Sequence, residues 1–193
     1  MSTARTVLTV AAAIVVVPVA MRAREAGTAP ASMTTTRIQD EGEQARPADL
    51  RAFLEAVRGA NAVQCEIILS SFNSWSSSHA PDRDSLAWSV GTVVHRRITS
   101  PESVPDMVTA MRSGDECLSR IAARLLGRSR LPAAKAELLT ALRDDSAQLR
   151  RLGAIGLGFS EDSTTSSTLV RALADRDARV RAAVAWALGA VNN

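Results

Sequence analysis

Tyrosine is absent from this chain, lysine occurs once (Lys135), and histidine and cysteine occur only twice each. Each scarcity narrows what the protein does. Aromatic residues make up 3% of the chain, so large rings carry little of the packing. Ala, Leu and Val carry it instead, which suits closely packed helices. His79 and His95 are the only histidines, and neither has a neighbour at metal-ligand spacing. Solvated loop or helix histidines account for them better than a metal site or a general base. No glycine-rich phosphate loop is present. The run Ser70–Ser78 has no Gly-x-Ser-x-Gly elbow and no base partner, and reads as a flexible loop. The pairs Asp144-Asp145 and Glu161-Asp162 fall at turns, where helix capping explains them better than acid–base catalysis. No catalytic, cofactor-binding or metal-binding residue emerges, and the chain reads as a non-enzyme with no cofactor.

The 193 residues are 46% hydrophobic, enough for one domain with a sizeable core. The net charge of +3 rests almost wholly on arginine. Compositional bias of the source explains that preference more simply than a selected arginine surface. Acidic residues alternate with the arginines through the second half of the chain, the pattern of a solvated helix surface rather than a nucleic-acid stripe.

Arg5 precedes an apolar run, Val7 to Met21, broken only by Thr9 and Pro18. The run is short for a membrane span and the right length for a signal-peptide core. Cleavage is expected after Ala23 or Ala31, so the mature chain should begin between residues 21 and 32. Arg22 and Arg24, directly after the run, leave an uncleaved anchor open. No cysteine follows, so the pattern is not that of a bacterial lipoprotein. Residues 1–23 are thus expected to be a signal peptide or N-terminal anchor. Residues 24–47, rich in Thr, Ala, Pro, Glu and Arg, are expected to be a disordered linker. The predicted location is exported, periplasmic or secreted, with membrane contact only through an uncleaved N-terminal segment.

What the chain does have is repetition. Leu142, Asp144, Leu149, Arg150, Ala154, Leu157 and Gly158 recur 31 residues later as Leu173, Asp175, Val180, Arg181, Ala185, Leu188 and Gly189. One more step back gives a worn copy with Met111, Leu118, Ala123, Leu126 and Gly127. A fixed period in this range marks a stacked array of helical hairpins. At about 100° per residue, Val180, Ala183, Val184, Ala187 and Leu188 form one stripe that a lone hairpin cannot bury.

The repeat domain is placed at 48–193, with repeats at about 48–72, 101–127, 132–158 and 163–190 and an insertion at 71–100. In the first repeat, Leu50, Phe53, Leu54 and Val57 share one face of a helix from Ala48 to Arg58. Val63, Ile67, Ile68 and Phe72 are assigned to the apolar face of the next helix. Asp84 offers an N-cap for a helix ending near Arg97. Pro101, Pro105 and Pro132 mark helix starts, and Asp145 or Ser146, Asp162 or Ser163, and Asp177 offer caps. Gly127, Gly158 and Gly189 are read as C-caps.

Paired helices carrying Asp, five residues, Arg, an Ala-rich stretch and Ala-x-x-Leu-Gly resemble HEAT repeats. The short period, and the stretch Val180 to Gly189 above all, resemble the subgroup named for phycobilisome lyases. The resemblance implies an all-α solenoid with the first (A) helix of each hairpin on the convex side and the second (B) helix on the concave side. It also implies an inter-repeat ladder through Asp144, Arg150, Asp175 and Arg181. Ser113 and Ser119 occupy the corresponding places one repeat earlier, so the ladder is expected to stop there. The chromophore-attachment activity behind the subgroup's name belongs to particular members and does not transfer.

On the B helices, Arg120, Arg124, Arg151, Ile155, Arg179 and Trp186 point away from the core stripe. An exposed Trp and Ile among arginines is an interface composition, and these six are the candidate partner-binding residues. Trp186 also reads as a cover for the open end of the stack. The leading function is non-enzymatic protein binding on the concave face. The alternatives are a nucleic-acid-binding solenoid and an accessory subunit of a pigment-lyase-like complex. Finally, Cys65 and Cys117 align near the starts of consecutive B helices. A disulfide between them is set against the usual interaxial spacing of about 8–10 Å and against the intervening insertion. Two buried free thiols are the other reading.

Overall fold

The structure, a computed structural model, describes residues 44–72 and 93–191. It is an all-α solenoid of stacked hairpins. α1 (Pro47–Arg58) and α2 (Ala62–Ser71) form the first hairpin. α3 (Val104–Met111), entered through a 3-10 turn at Pro101–Ser103, pairs with α4 (Glu116–Ser129). α5 (Pro132–Ala141) pairs with α6 (Ala147–Phe159). α7 (Ser166–Ala172), after a 3-10 turn at Ser163–Thr165, pairs with α8 (Ala178–Val191). The export segment expected at Val7–Met21 lies outside the described residues, as does most of the helix expected from Asp84. Among the described residues no helix is long and apolar enough to cross a membrane.

Local signals start the helices. Asn61 and Gln64 form a reciprocal capping box on α2, with bonds of 2.9 and 3.0 Å. Asp115 caps α4 through the amide of Leu118 at 2.8 Å, Ser146 caps α6, and Asp177 accepts from the amides of Arg179 and Val180 at the start of α8. Burial then selects one face. Leu118, Ile121, Leu125, Leu152, Leu157, Val180 and Val184 are all within 1% of full burial. The second and fourth B helices, α4 and α8, both lie against α6 over long contacts, whereas contact between successive A helices is slight. A stack held closely along one layer and loosely along the other curves toward the close layer. The B helices therefore line the concave side.

Glycine explains the closeness. A Cβ at Gly127 would lie 2.0 Å from the carbonyl oxygen of Gly156, and one at Gly156 would lie 2.8 Å from that of Ala123. α4 and α6 thus touch backbone to backbone. This corrects the reading of Gly127, Gly158 and Gly189 as C-caps. All three lie inside B helices, which continue to Ser129, Phe159 and Val191. The left-handed residues after α4 and α6 are Arg130 (φ 52°) and Glu161 (φ 50°), three positions further on, and their side chains pair with one another.

Two other expectations change. In α2 the buried residues are Cys65, Ile68 and Leu69, while Val63 and Ile67 are 69% and 60% exposed. Of the stripe expected on that helix, Ile68 and Phe72 are buried, while Cys65 and Leu69 take the places expected of Val63 and Ile67. The linker expected to run to residue 47 also ends earlier. Gln44 bridges Arg97 in parallel, the Ala45 amide donates to the Arg97 carbonyl at 2.8 Å, and Ala45 is buried. On the other side of this contact Val93, Val94 and Ile98, from the end of the 71–100 insertion, are buried too.

Charge links neighbouring hairpins at the inter-helix turns. Arg150 donates twice to the Asp175 carboxylate, at 2.7 and 3.0 Å, and its third nitrogen donates to the carbonyls of Asp144 and Asp145. Arg181 repeats the carbonyl contacts on Asp175 and Arg176. One repeat earlier the buried Ser119 takes the arginine's place and bonds the Ala110 carbonyl. The ladder nevertheless continues, because Arg112 at the end of α3 reaches Asp144 at 3.1 Å. Its termination at Ser113 and Ser119 is thereby corrected: the cation comes from the A helix instead of the B helix. On the A side Lys135 donates to Asp162 at 2.6 Å.

These contacts set an acid limit. The hydrogen bond from Lys135, reinforced by Thr164, holds the Asp162 carboxyl at about 2, below the ordinary 3.8. Arg150 lowers that of Asp175 in the same way. A carboxylate whose pKa falls on folding stabilises the fold above its unfolded pKa, and that contribution is lost as pH drops through the folded value. The expected window is therefore pH 4 down to about 2. Lys135→Met should melt below wild type at pH 6, with the gap closing toward pH 2. Calorimetry showing a constant or widening gap would refute this account.

Candidate functional site

The concave face carries an open cavity of about 450 Å³. It is lined by Arg124 from α4, Arg151 and Ile155 from α6, and Arg179, Ala182, Ala183 and Trp186 from α8. Five of the six residues singled out on the B helices therefore meet in one place. The sixth, Arg120, is instead held by Glu66 of α2 at 3.0 Å. The convergence follows from the repeat: positions 124, 155 and 186 are one place in three successive hairpins, and stacking sets them side by side.

Trp186 is 46% exposed, yet it is also packed. Its ring lies over α6, so that a Cβ at Gly158 would meet it at 2.5 Å. Phe159 stands 5.2 Å away between ring centres, tilted by 45°. Phe159 in turn meets Phe72 edge-on at 6.0 Å. A row of rings, Phe72, Phe159 and Trp186, thus runs along the B layer from the first hairpin to the fourth.

Arg124 is set into this row. Its guanidinium carbon lies 5.3 Å from the Phe159 ring centre and 5.8 Å from that of Phe72, within cation–π range. Its Nε and Nη1 are buried with no hydrogen-bond partner among the described residues. Burial, and then the neighbouring Arg120 cation, lower its pKa from the ordinary guanidinium range to about 10, against a smaller raising effect of Glu66. The side chain stays protonated at neutral pH. Arg128 lies over Phe72 at 5.7 Å and is also lowered by burial.

The other two arginines are less committed. Arg151 has a loose pair with Glu116 at 3.8 Å. Arg179 is exposed and has no ion pair among the described residues. Neither glutamate lines the cavity, which is cationic and apolar without any acidic group. No group of three or more metal-ligating side chains occurs among the described residues.

Sequence reasoning overlooked the rings that support the site. By sequence, Phe72 belongs to an apolar helix face, and Phe159 and Arg128 fall in no motif. The available signal was compositional: only three phenylalanines occur in the chain, and two of them fall at the ends of B helices.

The fold and the repeated surface define a class, the all-α solenoid. Within it, the family model for HEAT repeats matches residues 136–193 and supports reading the chain as a HEAT-repeat protein. The matched segment contains most of α5 and all of α6, α7 and α8, and so four of the cavity's arginine, isoleucine and tryptophan side chains. A search of curated proteins gave no match.

Proposed function

We propose that this chain is a non-enzymatic module that binds a protein partner on the concave B-helix face. The observation that carries the reading is the cavity in which Arg124, Arg151, Ile155, Arg179 and Trp186 converge. A set of arginine and tryptophan side chains around an apolar floor is the composition of a binding hot spot. HEAT repeats commonly mediate protein–protein interaction, and the resemblance over 136–193 supports the same role here. The nucleic-acid alternative is disfavoured because Glu66 and Glu116 stand beside the same row of arginines. The pigment-lyase alternative rests on the short repeat period and the stretch Val180 to Gly189, and absorbance of the purified protein tests it. Export through Val7–Met21 belongs to this proposal as well. The bonded pair Cys65–Cys117 supports it, since structural disulfides persist in oxidising compartments.

Trp186→Ala and Arg151→Glu are expected to weaken partner binding at least about tenfold each, by loss of an anchor and reversal of a charge. Helical content should stay near wild type. Because nearly half of Trp186 is already exposed, its removal should cost only about 1–2 kcal/mol of stability. Circular dichroism melts check the second statement and titration calorimetry the first. A loss of several kcal/mol without a binding defect would make Trp186 a core residue and remove the proposal's main anchor.

A further inference from the structure

Resting on the concave-face reading, the geometry points to a more specific ligand: we infer that the cavity receives a carboxylate side chain from an extended acidic peptide segment, with an adjoining apolar side chain laid over Ile155 and Trp186. Four observations carry this. Arg124 is a half-buried cation that lines the cavity, and its buried Nε and Nη1 have no partner among the described residues. These two nitrogens are closed off from the cavity, so an anion seated there acts on the Arg124 cation through space, an attraction strengthened by its partial burial. Its guanidinium is also fixed in place by the Phe72 and Phe159 rings, so little freedom is lost when a partner arrives. Arg179, free of ion pairs among the described residues, and Arg151, only loosely paired, complete a cationic rim. The planar guanidinium groups of Arg151 and Arg179 can each match a carboxylate in bidentate fashion.

The shape of the groove favours a peptide over a compact anion. A second cavity of about 300 Å³ adjoins the first, and the two share Arg151 and Arg179 as lining residues. The second one is polar and includes Glu116 and Asp177. An occupant running through both meets cations and apolar surface at one end and carboxylates at the other. A polyphosphate backbone, negative at every step, would be repelled at that second end. A peptide whose acidic and apolar residues sit together, followed by neutral or basic residues, matches both ends.

The test is selection from a phage-displayed random dodecapeptide library on the immobilised full chain, followed by calorimetry with the selected peptide. The expected result is a consensus with Asp or Glu beside an apolar or aromatic residue. Affinity should fall with added sodium chloride. It should also fall at least about 30-fold in the triple variant Arg124→Gln, Arg151→Gln, Arg179→Gln, with circular dichroism unchanged. Three results overturn the inference: a consensus without acidic residues, an acidic consensus that the triple variant binds as well as wild type, or no consensus. Displacement of the peptide by inorganic phosphate more readily than by acetate at equal ionic strength would also overturn it. An acid-free consensus lost in Ile155→Asp/Trp186→Ala would reject the carboxylate yet keep the concave-face reading. Equal binding by that double variant and by the triple variant would reject both.

Discussion

Gly127→Ala is expected to lower the free energy of unfolding by about 3 kcal/mol or more, the upper end of what overpacking costs. Two effects oppose each other. Alanine in a helix interior gains about 1 kcal/mol over glycine. The added Cβ, however, would stand 2.0 Å from the Gly156 carbonyl oxygen and 3.0 Å from the Phe159 Cβ. The first obstacle is backbone, which cannot rotate away, so α4 and α6 must separate along their shared contact. Gly189 supplies the control. It is the same repeat position two hairpins later, and a Cβ there would have nothing within 4 Å. Gly189→Ala should therefore stabilise, by up to about 1 kcal/mol. Gly158→Ala should resemble Gly127→Ala more than Gly189→Ala, because its Cβ would meet the Trp186 ring at 2.5 Å and the Ala187 Cα at 3.0 Å. Urea unfolding of the three variants reads all three signs. Equal effects at the three sites would mean that glycine serves the helix end and not the contact.

Removing the bond between Cys65 and Cys117 carries the next largest effect. The bond joins the opening turns of α2 and α4 and spans 52 residues of sequence, with Cα atoms 5.7 Å apart. Closing a loop of that length in the unfolded chain corresponds to about 4 kcal/mol in the chain-entropy model. The ion pairs at this junction, Glu66–Arg120 and Arg51–Asp106, are partly exposed and worth at most about 1 kcal/mol each. Cys65→Ala/Cys117→Ala should therefore loosen the first hairpin, and limited proteolysis should cut it within residues 44–72 before the later hairpins. Reductant should destabilise the wild-type chain to a similar degree and leave the double variant unchanged. Alkylation of unreduced protein taken from an oxidising compartment should label neither cysteine. Two labelled thiols would contradict the bond and the stability assigned to it.

The array was legible because its information is periodic. The recurrence of Leu, Asp, Arg, Ala and Gly every 31 residues defines the hairpins, and the same offset aligns 124, 155 and 186 on the concave face. Features set by one neighbour in space were not legible. Gly127 and Gly158 sit where a chain signal says helix end, yet the reason for glycine is a backbone on the next hairpin. Arg112 supplies the ladder's cation from a different helix, off the repeat's register. Val63 and Ile67 look like core by residue type, but the bond at Cys65 and the burial of Ile68 and Leu69 fix the helix with those two outward. The aromatic row depends on side chains from three hairpins that share no sequence pattern.

Site-specific photocrosslinking tests the central claim, recognition on the concave face, most directly. A benzophenone amino acid would replace Ile155 in the cavity, or the 55% exposed Val170 on the A helix α7, in the full chain expressed in its own cells. The account predicts a discrete protein adduct from position 155 that disappears when Arg151→Glu is added, and none from position 170. An adduct from position 170 with none from position 155 would place the partner on the opposite face and contradict it.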